Sequence, residues 1–366
     1  MPDVGILGLA QSGKTTVFNA VTRGNAQTGY GGAHGPNIGV VKVPDRRLDV
    51  LAELYHPKKV TPADIHYADF PAAGAAFGRG EGPGGQFLAE VRKNDALIHV
   101  VRLFENAEVP HSEGSIDAMR DIGTLDLELV FADQALIQRR LERLNAELRS
   151  LKPGERTAGE RELALLTRLQ AGLERDEPVR AQALAEEEER LIAGYRLLTQ
   201  LPMLVLLNIG EGDVPRAAAI EAEYRARLTA PGTEVTAFCG KLEMELAEME
   251  PDEATEYRAE LGLGAEAGLE RAIRLSYHLM GLISFLTAGE DECRAWTVRA
   301  GSTAPQAAGK IHSDLERGFI RAEVVRYEDL VAAGSIAEAK KRGTVRMEGK
   351  SYTVKDGDVL NILFNV

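Results

Sequence analysis

Cysteine and long apolar runs are both scarce in this sequence, and each scarcity excludes a class of protein. The 366 residues include only two cysteines, Cys239 and Cys293. Two thiols provide neither a disulfide framework nor a zinc site, so we expect no disulfide partner and a reducing compartment. The most apolar stretch, residues 201–207, is interrupted by Pro202, and it is far shorter than the ~18 residues of a membrane-spanning helix. Residues 1–3 lead directly into an apolar segment without a basic region, which predicts a cytoplasmic protein with no membrane partner.

Positive charge is also under-represented. The chain has 43 Lys and Arg against 56 Asp and Glu, which gives a net charge of -13. This excess argues against indiscriminate binding of polyanions. Residues 287–366 contain 12 residues of each sign and are therefore neutral. If the protein contacts nucleic acid, this neutral tail is the segment that the phosphate backbone would repel least.

Apolar segments that alternate with helical patterns predict a doubly wound, mostly parallel α/β sheet. The predicted strands are residues 4–9, a strand through Ile65 and Tyr67 that ends at Asp69, and residues 96–103, 203–207 and 234–238. Residues 137, 141, 144 and 148 and residues 163, 166, 169 and 173 form two apolar stripes at helical spacing. Residues 152–154, Lys-Pro-Gly, separate the stripes, and this pattern predicts an inserted antiparallel helical hairpin.

The tail has a third pattern. We predict strands at residues 295–298, 322–327, 350–354 and 359–365 and a helix at 307–317, which together form a small α+β module. The predicted domains are therefore a nucleotide-binding domain (1–123 and 200–283), a helical coiled-coil insertion (124–199) and a C-terminal domain (284–366). Trp296 lies within a predicted strand and is interpreted as core. Residues 340–342 form the strongest basic patch, either a solvated helix end or an RNA contact.

The most specific motif is a phosphate loop at residues 8–15, GLAQSGKT, which fits G-x-x-x-x-G-K-[ST]. Glycines allow backbone N–H groups to face phosphate oxygens, and the following helix adds its positive dipole end. Lys14 is expected to contact the β- and γ-phosphates, and the Thr15 hydroxyl is expected to bind Mg²⁺. The glycine spacing excludes a dinucleotide fingerprint. The nucleotide-binding residues predicted here are Gly8, Gln11, Ser12, Gly13, Lys14, Thr15 and Thr16.

Asp69 closes the second predicted strand. An acidic residue at this position orients Mg²⁺ in phosphate-loop NTPases, whereas the alternative is an ordinary turn residue at a strand end. Together with the phosphate loop, the position favours the metal role. The predicted metal ligands are therefore Thr15 and Asp69.

The fourth predicted strand is followed by Asn208-Ile209-Gly210-Glu211, at the place where Ras-like proteins have N-K-x-D. This N-x-x-E sequence resembles the YchF subfamily of Obg-like NTPases, and the chain looks like a diverged member. The other segments that resemble this subfamily are PNIGVV (36–41), PDRRL (44–48), GEG (80–82), QFL (86–88), HVVR (99–102), FEN (104–106), RAWTV (294–298), APQAAGKIH (304–312), GFIRA (318–322) and VKDGDV (354–359). The resemblance covers the whole chain, and it implies that the tail is a TGS (β-grasp) domain.

The resemblance implies a cytosolic ATPase, often described as a GTPase, that uses Mg²⁺ and associates with ribosomes or RNA through its TGS and helical domains. The aspartate of N-K-x-D pairs with guanine through its carboxylate. Glu211 moves this carboxylate by one methylene, and a bidentate pair is sensitive to such a shift. Loss of guanine discrimination follows from this chemistry, whereas a preference for adenine is implied only by the family. Asn208 either frames the base or is a turn residue. Cys239 and Gly240, which follow the fifth strand, complete the predicted nucleotide site.

Three departures from the subfamily concern its loops. Ala10 and Gln11 replace Pro-Asn in the phosphate loop, where the backbone makes most phosphate contacts. The D-x-x-G sequence that follows the second strand in the family reads Asp69-Phe70-Pro71-Ala72 here. The first switch, residues 29–36, has no threonine. Both segments that sense the γ-phosphate are therefore altered.

Ala73 occupies the position of the water-orienting glutamine of Ras-like proteins, so we expect slow turnover. The resemblance implies that a loop histidine substitutes for it, and the matching residue is His111, with Lys14 as the other catalytic candidate. The alternative for His111 is a solvent-exposed loop residue, and His34 is a second candidate. Two functions remain open: a slow nucleotide switch that hydrolyses ATP and possibly GTP, or a hydrolysis-deficient nucleotide-binding scaffold.

Overall fold

A computed structural model describes residues 1–22, 36–72, 85–150, 152, 154, 156–261, 263 and 267–365. The chain divides into two compact units. The first unit comprises residues 2–40 and 66–272, and the second comprises Met1 with residues 41–65 and 273–366. The predicted switch residues 29–35, which include His34, lie outside the described ranges, as do Ala73 and residues 80–82.

Among the described residues, the sheet that carries the phosphate loop has six strands in the order β2-β4-β1-β5-β6-β7. Strand β1 pairs in parallel with β4 and β5, β5 with β6, and β6 with β7. This confirms the predicted doubly wound α/β fold, in which crossover helices cover both faces. The strands are β1 (Asp3–Leu7), β2 (Asn37–Lys42), β4 (Asp64–Asp69), β5 (Ala96–Leu103), β6 (Met203–Ile209) and β7 (Thr233–Phe238).

Strands β5 and β6 form the apolar centre of this sheet, with seven of eight and seven of seven residues buried. The parallel arrangement places the carboxyl ends of β1, β5 and β6 together at one edge, where ligands bind in such folds. The accompanying helices are α1 (Lys14–Thr22), α3 (Gly85–Val91), α7 (Ala217–Arg227), α8 (Gly240–Glu248), α9 (Pro251–Glu260) and α10 (Gly268–Leu279).

The predicted helical insertion is present as α4 (Ala118–Ser150) and α5 (Thr157–Leu173), followed by α6 (Glu186–Ile192). Short 3₁₀ turns at Val179–Ala181, Ala193–Tyr195 and Leu198–Gln200 return the chain to β6. Helix α4 begins six residues before the predicted boundary at 124. Its Ile137 packs with Leu165, Leu166, Leu169 and Leu173 in one apolar cluster.

The second unit contains a six-stranded mixed sheet in the order β11-β10-β12-β8-β9-β3. Strands β8 and β9 are antiparallel, as are β10 and β12, whereas β12 pairs in parallel with β8. The elements are α2 (Arg46–Tyr55), β3 (Lys59–Thr61), β8 (Leu282–Thr287), β9 (Glu292–Arg299), α11 (Ala304–Ile311), α12 (Ser313–Arg317), β10 (Phe319–Arg326), α13 (Tyr327–Ala333), α14 (Ile336–Lys341), β11 (Arg346–Glu348) and β12 (Asp358–Phe364).

Two predicted elements of the tail are wrong. The strand predicted at 350–354 is a turn region with one isolated bridge, between Thr353 and Thr303, and the strand lies earlier, at β11. Asp358 stabilises this turn by accepting hydrogen bonds from the Lys355 amide (2.9 Å) and the Tyr352 hydroxyl (2.7 Å). The single helix predicted at 307–317 is interrupted at His312, whose extended backbone ends α11 and whose Nδ1 accepts from the Asp314 amide to begin α12.

Residues 41–65 belong to the same compact unit as the tail, an arrangement absent from the predicted domains. Strand β3 pairs in parallel with β9, and Thr61 Oγ1 donates to Glu292 at 2.6 Å. Arg47 also donates to Asp356 at 2.7 Å. The predicted domain boundaries remain a prediction, but this unit requires a segment from the first sixth of the chain to complete its sheet.

Trp296 and the basic patch both have structural partners in this unit. The half-buried Trp296 packs against the apolar cluster around Phe285, and its Nε1 donates to Thr287 Oγ1 at 3.0 Å. This agrees with the interpretation of Trp296 as core. Lys340 lies near the end of α14, and its Nζ is 2.6 Å from the carboxylate of Glu323 in β10. The patch therefore fits a helix end whose charge is paired. None of the helices in the described ranges combines the length and apolar character needed to cross a bilayer.

Candidate nucleotide and metal site

The loop between β1 and α1 adopts a conformation that its glycines make possible. Gly8 and Gly13 have φ values of 153° and 87°, and Gln11 has a φ of 60°. A Cβ at Gly8 would lie 2.4 Å from the Val100 carbonyl oxygen, and one at Gly13 would lie 2.2 Å from Nδ2 of Asn208. Side chains at these two positions are therefore excluded both by backbone strain and by space.

Lys14 lies at the first position of α1, and its ammonium group is turned back into the loop. Its Nζ donates to the carbonyl oxygens of Gly8 (3.0 Å) and Leu9 (2.8 Å). Burial lowers the pKa of Lys14 to about 8, an effect that the negative charge of Asp69 partly offsets. The loop therefore holds a poorly solvated cation, which a polyphosphate would stabilise.

Thr15 and Asp69 converge as the predicted metal ligands require. Thr15 Oγ1 donates to Oδ2 of Asp69 at 3.2 Å, and Asp69 is buried at the end of β4. Within the described ranges, Oδ1 of Asp69 and Oγ of Ser12 are buried without a hydrogen-bond partner. Burial raises the pKa of Asp69, while the bond from Thr15 and the charge of Lys14 oppose this rise. An unpartnered carboxylate oxygen beside a hydroxyl is a donor set that suits a hard cation such as Mg²⁺.

These groups open onto one cavity of about 420 Å³. It is lined by Gln11, Gly13, Lys14, Thr15, Thr16, Asn37, Asp69, Phe70, Pro71 and Ala72. Most of the predicted phosphate and metal residues therefore line a single cavity, although Gly8 and Ser12 are not among its lining residues. Ala72 of the altered D-x-x-G sequence lies in its wall.

Asn208 joins the phosphate loop to the loop after β7. Its Nδ2 donates to the Ser12 carbonyl at 3.0 Å, and its Oδ1 accepts from the Gly240 amide at 2.9 Å. A Cβ at Gly240 would approach Oδ1 of Asn208 to 3.1 Å. Asn208 is therefore more than a turn residue, because it holds in register the two loops that flank the predicted base site. Cys239 caps α8 beside it, and burial raises the pKa of its thiol.

The predicted nucleotide-binding residues do not include Phe104, which directly follows β5 at the carboxyl edge of the sheet. A Cβ on Gly13 would be 3.8 Å from Cε1 of Phe104, and one on Gly210 would be 3.7 Å from its Cβ. The Arg102 guanidinium lies 4.6 Å from the ring centroid and donates from Nε to the Phe104 carbonyl at 3.1 Å. The available signal was positional, since an aromatic residue directly follows β5 at the carboxyl edge of a parallel sheet.

Glu211 lies at the rim of this group of loops. It begins a 3₁₀ helix (Glu211–Arg216) directly after Gly210, and its Oε1 accepts from Lys241 Nζ at 2.8 Å. Both side chains are exposed. Glu211 is three residues from Asn208 in the chain, and its carboxylate is hydrogen-bonded to Lys241.

His111 is bonded at both ring nitrogens. Its Nε2 lies 2.9 Å from Oδ2 of the buried Asp121 in α4, and its Nδ1 accepts from the Glu113 amide at 3.1 Å. Only 6% of the His111 side chain is exposed, so the alternative of a solvent-exposed imidazole is wrong. An accepting Nδ1 assigns the ring proton to Nε2, which donates to Asp121 in a neutral imidazole.

The parallel sheet, the phosphate loop and the cavity beside it define a P-loop NTPase of the α/β class. Comparison with known proteins identifies the branch. The family model YchF-GTPase_C, described as "Protein of unknown function (DUF933)", matches residues 282–365. The chain is 42% identical over 366 residues to the "Ribosome-binding ATPase YchF" of Bacillus subtilis, with 99% of both chains covered. It is 39% identical over 364 residues to the Escherichia coli O157:H7 protein of the same name, again with 99% of both covered.

A solved structure points to the same family. The Schizosaccharomyces pombe YchF GTPase has a TM-score of 0.85 and 30% identity to this chain, with 99% of this chain and 97% of that one covered. The chain therefore belongs to the YchF family of P-loop NTPases. Its P-loop fold, helical insertion and C-terminal domain match those expected from the sequence.

Proposed function

We propose that the protein binds a purine nucleoside triphosphate with Mg²⁺ and hydrolyses ATP, and GTP as a further substrate, as a slow nucleotide switch. The observation that carries this proposal is the convergence of Lys14, Thr15 and Asp69 on one cavity beside the strained loop at residues 8–15. The relatives named "Ribosome-binding ATPase YchF" support the same activity.

Each residue of the candidate site has a distinct role in this proposal. The backbone amides of the phosphate loop and Lys14 bind the β- and γ-phosphates. Thr15 and Asp69 hold Mg²⁺, which would neutralise developing phosphate charge. Asn208, Cys239 and Gly240 shape the purine pocket, and Phe104 offers its ring to the base, since aromatic rings stack on any purine.

Affinity for ATP is expected to fall by about tenfold between pH 7 and pH 9 because Lys14 loses its proton near pH 8 in the free protein. The bound phosphates favour the charged form, so binding is accompanied by proton uptake above that pH. Titration calorimetry in buffers of different ionisation enthalpy measures both effects. In a Lys14→Arg variant the side chain stays charged over this pH range. Its remaining pH dependence therefore reports the ionisation of the nucleotide itself. An equal pH dependence in that variant would remove Lys14 from the explanation.

For hydrolysis, we propose that His111 orients the attacking water after its bond to Asp121 opens. The present bonds at both nitrogens leave no free acceptor on the ring, so turnover requires this loop to rearrange. We expect His111→Ala to lower the single-turnover rate by about 100-fold while ATP affinity stays within about twofold. Unchanged rates in this variant would mean that another group, or the substrate alone, supports hydrolysis.

A hydrolysis-deficient nucleotide-binding scaffold is the second candidate function. Two observations favour it: His111 is held by Asp121, and Ala72 replaces the family glycine in the cavity wall. The single-turnover assay separates the candidates. Tight ATP binding without phosphate release in the parent protein supports the scaffold, whereas turnover that His111→Ala slows supports the enzyme.

We further propose that the helical insertion and the C-terminal domain, taken as a TGS domain, bind a ribosome or RNA in the cytoplasm. The printed names of the bacterial relatives support this partner. The even charge balance of residues 287–366 is compatible with it, because the remaining residues carry the whole net charge of -13.

A further inference from the structure

An ion pair connects the two loops that border the predicted base site. Glu211 follows Gly210 after β6, and Lys241 follows Gly240 at the start of α8. Lys241 Nζ donates to Oε1 of Glu211 at 2.8 Å. Because the Gly240 amide also donates to Asn208 Oδ1 near the end of β6, the segments that follow β6 and β7 are connected at two points.

The surrounding charges hold Lys241 at this rim. Its Nζ also lies 3.8 Å from Oε1 of Glu245, one turn further along α8. The side chains of Lys241 and Glu211 are 64% and 58% exposed, so solvent and salt screen their attraction. The pair is therefore weak enough for a ligand group to compete with it, yet it determines where the Glu211 carboxylate rests.

We propose that Lys241 is a positioning residue that keeps the Glu211 carboxylate from guanine and so sets the base selectivity of the site. This inference rests on the nucleotide binding proposed above. Guanine presents two N–H donors, at N1 and at the 2-amino group, which a free carboxylate would accept together. Because Lys241 engages Oε1 of Glu211, a bidentate pair between this carboxylate and guanine has to compete with the ion pair. Adenine presents no such donors to that position and loses nothing.

The length of the glutamate side chain is then only part of the selectivity. If Lys241 holds the carboxylate, its removal should recover part of the guanine affinity without any change at position 211. If side-chain length alone decides, the removal of Lys241 should have no effect on selectivity. The two explanations therefore differ in one measurable quantity, the ratio of GTP to ATP affinity.

The test is competition of ATP, GTP and ITP against a fluorescent ATP analogue on the full chain at low salt. The parent protein is expected to bind ATP at least as tightly as GTP. In Lys241→Gln, the GTP-to-ATP affinity ratio should rise about fivefold, the scale of an exposed ion pair. ITP, which lacks the 2-amino group, should gain less than GTP. Lys241→Arg retains the pair and should keep the parent ratio.

Two further variants isolate the pair. The rise should vanish when Glu211→Gln is combined with Lys241→Gln. Lys93→Gln removes a comparable exposed lysine, paired with Glu90 at 2.6 Å, and should leave the ratio unchanged. A ratio within about twofold of the parent in Lys241→Gln, or a rise that persists with Glu211→Gln, overturns this inference alone. Failure of the parent to bind any nucleotide overturns the proposed function as well.

Discussion

Replacing Lys14 with alanine is expected to lower the affinity for ATP and GTP by about 1,000-fold and to abolish turnover. Lys14 is buried, and its ammonium donates to two carbonyl oxygens of the loop, Gly8 and Leu9. The variant removes the cation that would meet the phosphates and leaves these two carbonyls without their donor. Both purines should be affected equally, because the residue lies at the phosphate end of the cavity. Equilibrium binding with Mg²⁺ present measures the loss.

The control for this variant is Lys93→Ala, which removes an exposed lysine on the same unit. It should change neither affinity nor turnover. Circular dichroism of both variants reports whether the fold is retained. If Lys14→Ala is folded and binds ATP within about tenfold of the parent, the loop at residues 8–15 is not the phosphate site, and the proposed function fails.

Local patterns in the sequence predicted the fold well, and they supplied the candidate phosphate and metal residues, whose role stays a prediction. Strand β5 occupies the predicted residues 96–103, because a continuous apolar run of that length fits a strand covered on both faces. The phosphate loop was equally easy to recognise in the sequence, since its glycines, Lys14 and Thr15 lie within eight consecutive residues. Asp69 was assigned from its position at the end of a strand, and the structure brings it to Thr15.

Features that depend on contacts formed only in the folded chain could not be predicted. Strand β3 has three residues, and its partner β9 lies more than 200 residues away, so neither carries a signal for the other. The same holds for His111, whose contact with Asp121 depends on how the loop folds onto α4. The turn at 350–354 read as a strand because its residues alternate, but Asp358 binds Lys355 and Tyr352 and fixes the turn.

Asp133→Ala is expected to lower the free energy of unfolding of the first unit by about 4 kcal/mol. Asp133 has no solvent exposure, yet the sequence presents it as one acidic residue among many in α4. Its Oδ1 accepts from Arg92 (2.7 Å) and the Leu198 amide (3.0 Å). Its Oδ2 accepts from the amide (2.7 Å) and hydroxyl (2.8 Å) of Thr199. One carboxylate thus connects the insertion to the segment that leads into β6.

Without this carboxylate, the Arg92 guanidinium, only 13% exposed, loses its charge partner, and two backbone amides lose their acceptor. Unpaired buried groups of this kind cost far more than an exposed ion pair contributes. The matched control is Asp213→Ala, which breaks an exposed pair with Arg216 and should cost under about 0.5 kcal/mol.

Urea unfolding followed by circular dichroism measures the loss, because α4 and α5 contribute much of the helical signal. Trp296, the one tryptophan of the chain, belongs to the second unit, and its fluorescence follows that unit separately. We expect the circular dichroism midpoint of Asp133→Ala to fall well below that of Asp213→Ala. Equal midpoints would show that Arg92 and the 197–199 segment find other partners, and that Asp133 does not fix the insertion to the sheet.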